Sequence, residues 1–272
     1  MLAKRVLVAV ILLPIGLVVI WLGGLAFAVM VALILGLAAW EYVNLFRAGG
    51  LQPAGVLVVL GTLGLAAGRA YSGFSSASWI ISLVVLLSMA YHLVAYERGR
   101  DQAGTDFGIT LGGVLYLGWI GSYLISLREL PEGVWWVLLA LPSVWLADSG
   151  AYFIGRAFGR RKLSPRLSPK KTWEGYLGGV LVGVLGSALL AYIWSFWTGP
   201  GSQITPLNGS LMGLVLSVIT PLGDLGESMI KRQVGVKDSG TLLPGHGGVF
   251  DRTDSWLWAG VIGYYLVVLF FI

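Results

Sequence analysis

Apolar positions in this chain fall into long unbroken runs, not into the alternating or 3.6-residue stripes of a water-soluble fold. A bilayer core of about 30 Å is crossed by roughly 20 apolar residues in a helix. Nine runs reach or approach that length: residues 6–22, 25–46, 51–67, 78–96, 107–127, 134–155, 173–197, 207–230 and 255–272. The third is short and rich in glycine. The first lacks the polar, small-residue region of a cleaved signal peptide, and a second run follows at once, so it reads as a span. The pattern predicts an all-α, polytopic integral membrane protein with about nine transmembrane helices.

Composition strengthens that reading. The 272 residues are 57% hydrophobic and only 11% charged, against about 25% charged in an average soluble domain, which excludes such a domain and a disordered chain alike. The absence of cysteine excludes a disulfide framework, thiolate metal sites and a Cys nucleophile. Two histidines, His92 and His246, leave little room for a His-rich zinc site. The net charge of +5 suits a lipid surface, and nucleic acid is not expected as a partner. With a cytoplasmic N-terminus, sixteen of the eighteen Lys and Arg lie on the cytoplasmic side, leaving only Arg69 and Arg128 outside. That bias is the positive-inside pattern. No internal repeat is visible, which weakens an inverted-repeat transporter. The chain divides softly into an N-terminal membrane scaffold, 1–133, and a C-terminal region, 134–272, where the polar chemistry collects. Gly112, Gly113, Gly178, Gly179 and Gly183 are expected at close helix contacts.

Ionisable residues inside spans are costly and mark function. Glu41, Asp148, Glu174, Asp224 and Glu227 lie in or at the edges of spans, toward their cytoplasmic ends. Asp148 sits about 12 Å below Arg156, and Asp224 about 10 Å below Lys231, at 1.5 Å per residue. Similar depth on different helices suggests one polar cavity open to the cytoplasm. Asp224, Glu227 and Ser228 share a helical face. Pro221 cannot donate to the carbonyl of Ser217, so the helix should bend beside these acids, and Pro142 stands in a comparable relation to Asp148. The plainer alternative is a packing kink, with the acids paired to nearby cations. Glu41 reads equally as an interfacial residue or as a supporting partner of the site.

Two loops carry the remaining chemistry. In residues 159–175, Ser168-Pro169-Lys170-Lys171-Thr172 precedes Glu174 as a helix start, whose free N–H groups and two ammonium groups suit phosphate. An anionic-lipid contact or a topology signal is the alternative. Residues 228–254 bring together Lys231, Arg232, Lys237, Gly245, His246, Gly247, Gly248, Asp251, Arg252 and Asp254. The glycines allow close backbone approach. Asp251 and Asp254, three residues apart, would present both carboxylates on one helical face to a hard cation, unless Asp254 merely caps the helix. Carboxylates with Lys, Arg and backbone amides match phosphoryl or nucleotidyl transfer from a Mg²⁺-bound nucleotide. No Walker A, kinase glycine loop or Rossmann fingerprint is present, and no activated Ser triad is evident.

The Ser-x-x-Lys-Arg-x4-Lys-Asp pattern from Ser228 and the His-Gly-Gly-x-x-Asp-Arg-x-Asp pattern from His246 resemble the signature of bacterial phosphatidate cytidylyltransferases (CDP-diacylglycerol synthases). Asp148-Ser149-Gly150-Ala151-Tyr152 and Ser168 through Gly175 resemble the same family. The likeness covers the C-terminal half in ordered blocks, and the N-terminal spans only in hydropathy. The resemblance implies that CTP and phosphatidate give CDP-diacylglycerol and pyrophosphate. It also implies divalent-metal dependence, a bacterial inner-membrane location and a homodimer. On this reading the lipid phosphate attacks the α-phosphorus of CTP in line, with Mg²⁺ held by Asp224 and Asp251 and with Asp254 as a third candidate ligand. Asp148 is a further ligand or an orienting acid, and Lys171 acts at the reacting phosphates. Ser168, Lys170, Lys171, Thr172, Lys231, Arg232, Lys237, His246, Gly247, Gly248 and Arg252 are expected to bind the substrates. The rival readings are another CTP-dependent lipid enzyme (an isoprenoid-alcohol kinase or an archaeal-type lipid cytidylyltransferase) and, from a different class, a secondary transporter.

Overall fold

The computed structural model describes residues 2–240 and 247–272, with side chains at residue 10 and from residue 12 onward. His246 therefore lies outside the described residues. The chain runs through α1 (Leu2–Leu22), α2 (Gly24–Ala48), α3 (Gly55–Ser72), α4 (Ala77–Glu97) and α5 (Ala103–Gly113). A π-helical stretch (Val114–Ile120), α6 (Tyr123–Glu129) and α7 (Gly133–Phe158) follow. A short hairpin, β1 (Lys162–Ser164) and β2 (Ser168–Thr172), leads into α8 (Trp173–Ser195), α9 (Pro206–Ile219), α10 (Pro221–Gln233) and α11 (Phe250–Leu266). Val267–Phe271 closes the chain as a second π-helical stretch. Among the described residues eight helical runs are long and apolar enough to cross a bilayer, and α1 contributes the apolar stretch Leu12–Leu22. The protein is an all-α polytopic membrane protein, with the two-stranded hairpin as its sheet among those residues.

By packing, the chain forms two compact units, 1–126 with 230–253, and 127–229 with 254–272. In the first, α2 packs on α3, and α3 on α4 and the π-helical stretch. Phe27, Val31, Leu35, Val58, Leu65, Val114 and Leu117 fill the space between them. Gly23, at φ 64, breaks the chain between α1 and α2, a conformation that L side chains resist. Asp106 ties two loops down, accepting from Arg100 Nε at 2.7 Å and from the Gln52 amide at 2.8 Å. Gly113 lies under Tyr42, where a Cβ would stand 2.7 Å from the ring.

In the second unit, α7, α8 and α9 pack on one another. Helix α8 shows how a membrane helix distinguishes its faces by size instead of polarity. Leu177, Leu181, Leu185 and Leu189, one per turn, are exposed, whereas Gly175, Gly178, Gly179, Gly183, Ser187 and Ala191 are buried. A Cβ on Gly179 would lie 2.6 Å from the Ala147 carbonyl oxygen, and one on Gly183 2.8 Å from Ser217 Cβ. Lipid is as apolar as leucine, so close backbone approach is what draws such helices together.

Candidate active site

The second unit gathers acids from three helices. Asp224, Glu227 and Asp254 each offer a carboxylate oxygen, and these oxygens lie within 4.8 Å of one another. Helical spacing aligns Asp224 with Glu227 on α10, while Asp254 arrives on α11. The two helices meet at Gly223, where a Cβ would stand 2.7 Å from the Asp254 carbonyl oxygen. Glu227 and Asp254 are buried and Asp224 is partly open. The expected disturbance falls at Thr220, the single residue between the end of α9 at Ile219 and the start of α10 at Pro221. The Tyr176 hydroxyl donates to the Val218 carbonyl at 3.0 Å beside it.

Lys171 enters this group from the hairpin and forms an ion pair with Asp224. Its aim follows from its neighbours. The Thr172 side chain caps α8, accepting from the Gly175 amide at 3.2 Å. Glu174 accepts from the Arg160 and Arg161 amides at 3.0 and 3.1 Å, which fastens the entry of the hairpin to the head of α8. Asp148, exposed on α7, lies in the electrostatic field of both Lys171 and Asp224, and Asp254 feels the same three groups. Three carboxyl groups, Asp148, Asp224 and Asp254, thus share the field of Lys171. Clustered hard oxygens of this kind suit a divalent cation bound through carboxylates.

The first unit treats its acids differently. Asp251 Oδ1 pairs with Lys231 Nζ at 2.7 Å, and Oδ2 accepts from the Gly248 amide at 2.8 Å and the Ser239 amide at 3.0 Å. The reach back to Gly248 has the form of a capping box, in which a side chain in the first helical turn satisfies the amide that precedes the helix. Gly247, at φ 83, supplies the turn that brings this backbone past Asp251. Glu41 of α2, only 1% exposed, accepts from the Phe250 amide at 2.9 Å and the Ser239 hydroxyl at 3.2 Å.

The structure thus brings Asp148, Lys171, Asp224 and Asp254 together, with Thr172 as the cap beneath them, and adds Glu227. The i, i+3 spacing from Asp224 was the signal for Glu227. Asp251 is engaged by Lys231 and two amides, so neighbours on one helix, Asp251 and Asp254, face different surroundings. Lys170, Arg232, Lys237 and Arg252 are exposed, and Ser168 is half-buried. No pattern in the sequence announced Ser239 as a junction between Glu41 and Asp251; its role needs partners from α2.

Residues 3–270 match the sequence profile of the Cytidylyltransferase family. Similar proteins named phosphatidate cytidylyltransferase occur in Synechocystis sp., at 34% identity over 98% of this chain and 96% of the relative. A second is found in Bacillus subtilis, at 34% identity over 98% of both chains. A third, from Pseudomonas aeruginosa, is 36% identical over 94% of this chain and 93% of its own length. Likeness that runs nearly end to end takes in the N-terminal helices as well as the acidic and basic blocks, and the chain belongs to the cytidylyltransferase family.

Proposed function

We propose that this enzyme transfers a cytidylyl group from CTP to phosphatidate, forming CDP-diacylglycerol and releasing pyrophosphate, in phospholipid synthesis at the bacterial plasma membrane. The observation that carries the reading is the trio of Asp224, Glu227 and Asp254, whose oxygens stand within 4.8 Å of one another beside Lys171. The names of the similar proteins supply the acceptor and the nucleotide. The topology that goes with the proposal has nine spans, a cytoplasmic N-terminus and a reaction centre facing the cytoplasm. A homodimer belongs to it on the family resemblance.

Asp224, Glu227 and Asp254 are the residues that would hold Mg²⁺, with Asp148 orienting them from α7. When bound, the cation supplies neutralisation of charge on the nucleotide phosphates. The protein needs no general base to create a nucleophile, because the phosphate of phosphatidate is ionised at neutral pH. Positioning and electrostatic stabilisation carry the catalysis. Lys171, held by the hairpin and the Thr172 cap, gives a fixed positive charge for the reacting phosphates. Lys170, Lys231, Arg232, Lys237, Arg252 and His246, with the amides around Gly247 and Gly248, bind the phosphates of the two substrates and of the departing pyrophosphate. Asp251 keeps Lys231 extended for that task.

The test is product analysis with purified protein, CTP, phosphatidate and Mg²⁺. Label in the α-phosphate of CTP should appear in lipid of the mass of CDP-diacylglycerol. Entry of the γ-phosphate instead would identify a lipid kinase, and no lipid product would overturn the proposal.

A further inference from the structure

Glu41 is a carboxylate placed where a membrane helix core ordinarily has an apolar side chain. It is 1% exposed, and it sits between Phe46 and Leu35 in a run of buried apolar positions on α2. Its Oε2 takes the Phe250 amide and the Ser239 hydroxyl, while Oε1, also buried, meets no hydrogen-bond donor among the described residues. Packing alone would favour replacing such a group with a hydrophobe, because a buried charge is costly unless its partners need it. The partners here do. The Phe250 amide belongs to the first turn of α11, where backbone donors lack intrahelical acceptors, and Glu41 caps it from a helix more than two hundred residues away in sequence. Ser239 then carries the contact onward. Its hydroxyl accepts from the Asp251 amide at 3.3 Å, and its amide donates to Asp251 Oδ2 at 3.0 Å.

Two glycines are cut to fit around this carboxylate. A Cβ on Gly240 would stand 2.6 Å from Glu41 Oε1, and one on Gly248 would collide with Ser239 Oγ and Glu41 Oε2. Glu41 also lies one residue before Tyr42, whose ring meets Phe250 edge-on at 6.0 Å and whose hydroxyl donates to the Ile109 carbonyl at 3.1 Å. The turn at Ser239, the glycine segment and the head of α11 are therefore all seated on one side chain of α2.

We infer that Glu41 is a positioning residue of the reaction: through the Phe250 amide and Ser239 it sets the carboxylate of Asp251, and with it the Lys231 ammonium. The inference rests on the proposed function only for the identity of the product measured. Glutamine keeps an acceptor oxygen of the same reach and alanine does not, so the two substitutions separate a local anchor from a requirement for charge.

The experiment compares full-length Glu41→Ala, Glu41→Gln and Ser239→Ala with the unsubstituted protein in detergent, by CDP-diacylglycerol formation and by amide hydrogen exchange. In Glu41→Ala, kcat per folded molecule should fall about a hundredfold, the scale of a small misplacement of a reacting group. KM for CTP should rise by much less than kcat falls, since the loss is of positioning more than of ground-state binding. Exchange in the peptide spanning 239–253 should accelerate, and Glu41→Gln should restore both readouts to within about threefold. Ser239→Ala should lower kcat about tenfold, and the double substitution should cost less than the product of the singles, as coupled residues do. The inference is overturned by a Glu41→Ala enzyme with unchanged turnover or unchanged exchange, by a Gln variant as impaired as Ala, or by effects that simply multiply. If Glu41→Ala does not fold, Ser239→Ala with unchanged kcat and exchange overturns it equally. If the unsubstituted protein makes no CDP-diacylglycerol, the proposed function fails while the exchange comparison still decides the role of Glu41.

Discussion

In the first unit, Glu41 and Asp251 are met by donors: two amides and an ammonium on Asp251, an amide and a hydroxyl on Glu41. In the second, oxygens of Asp224, Glu227 and Asp254 lie within 4.8 Å of one another, with Lys171 at Asp224, the Ser255 amide on Asp254 and Asp148 within the same field. The side chains are of the same chemical type, and the surroundings give them different work. A carboxylate circled by N–H and O–H groups holds backbone in place. Carboxylates gathered within 4.8 Å of one another repel while charged, and such a cluster of hard oxygens suits a divalent cation. The position of an acid inside a span announces cost; only its neighbours say whether the cost serves shape or chemistry.

The sharpest way to break this comparison is Asp224→Asn. Turnover should fall about a thousandfold, as when a group stabilising transition-state charge is lost. The melting temperature in detergent should change little, because relief of repulsion among the acids offsets the lost ion pair with Lys171. A clear loss of thermal stability would mean that the trio holds shape after all. Asp251→Asn should behave differently. It weakens an ion pair whose side chains are only 12% and 8% exposed, so unfolding should become easier by about 2 kcal/mol. Turnover should drop about a hundredfold through misplacement of Lys231. Unchanged stability would remove the distinction drawn between the two regions. The smallest effect is expected from Thr172→Ala, which deletes the cap of α8. It should cost about 1 kcal/mol of stability and lower turnover a few-fold through looser aim of Lys171, both measurable by thermal unfolding and steady-state kinetics.

The helices were largely legible in hydropathy. Residues 25–46 read from the sequence correspond to Gly24–Ala48 in α2, and 78–96 to Ala77–Glu97 in α4. In lipid every backbone donor and acceptor must be satisfied within the segment, so an apolar run of that length has little choice but to be helical. Pro221 announced a disturbance, and it separates α9 from α10. The hairpin at 162–172 was not legible, because its strands are short, polar and without alternation. Lys162 pairs with Thr172 and Ser164 with Ser168, and Glu174 at the head of α8 holds the start of the hairpin through the Arg161 amide. The basic and acidic blocks stood out as chemistry because such residues are rare in this composition, whereas the division of labour between them did not.

What the sequence determined by itself was therefore the membrane class, the approximate span of each helix and the short roster of polar residues, since transfer free energies depend on residue type and run length alone. What the tertiary structure decided was partnership. Asp251 and Asp254, one helical turn apart, end in different company. Glu41 serves a loop almost two hundred positions distant. Glu227 takes a place beside Asp224 that its spacing permitted and α11 completed. Hydrogen bonds and ion pairs act over about 3 Å, and only packing brings groups from remote parts of the chain within that range.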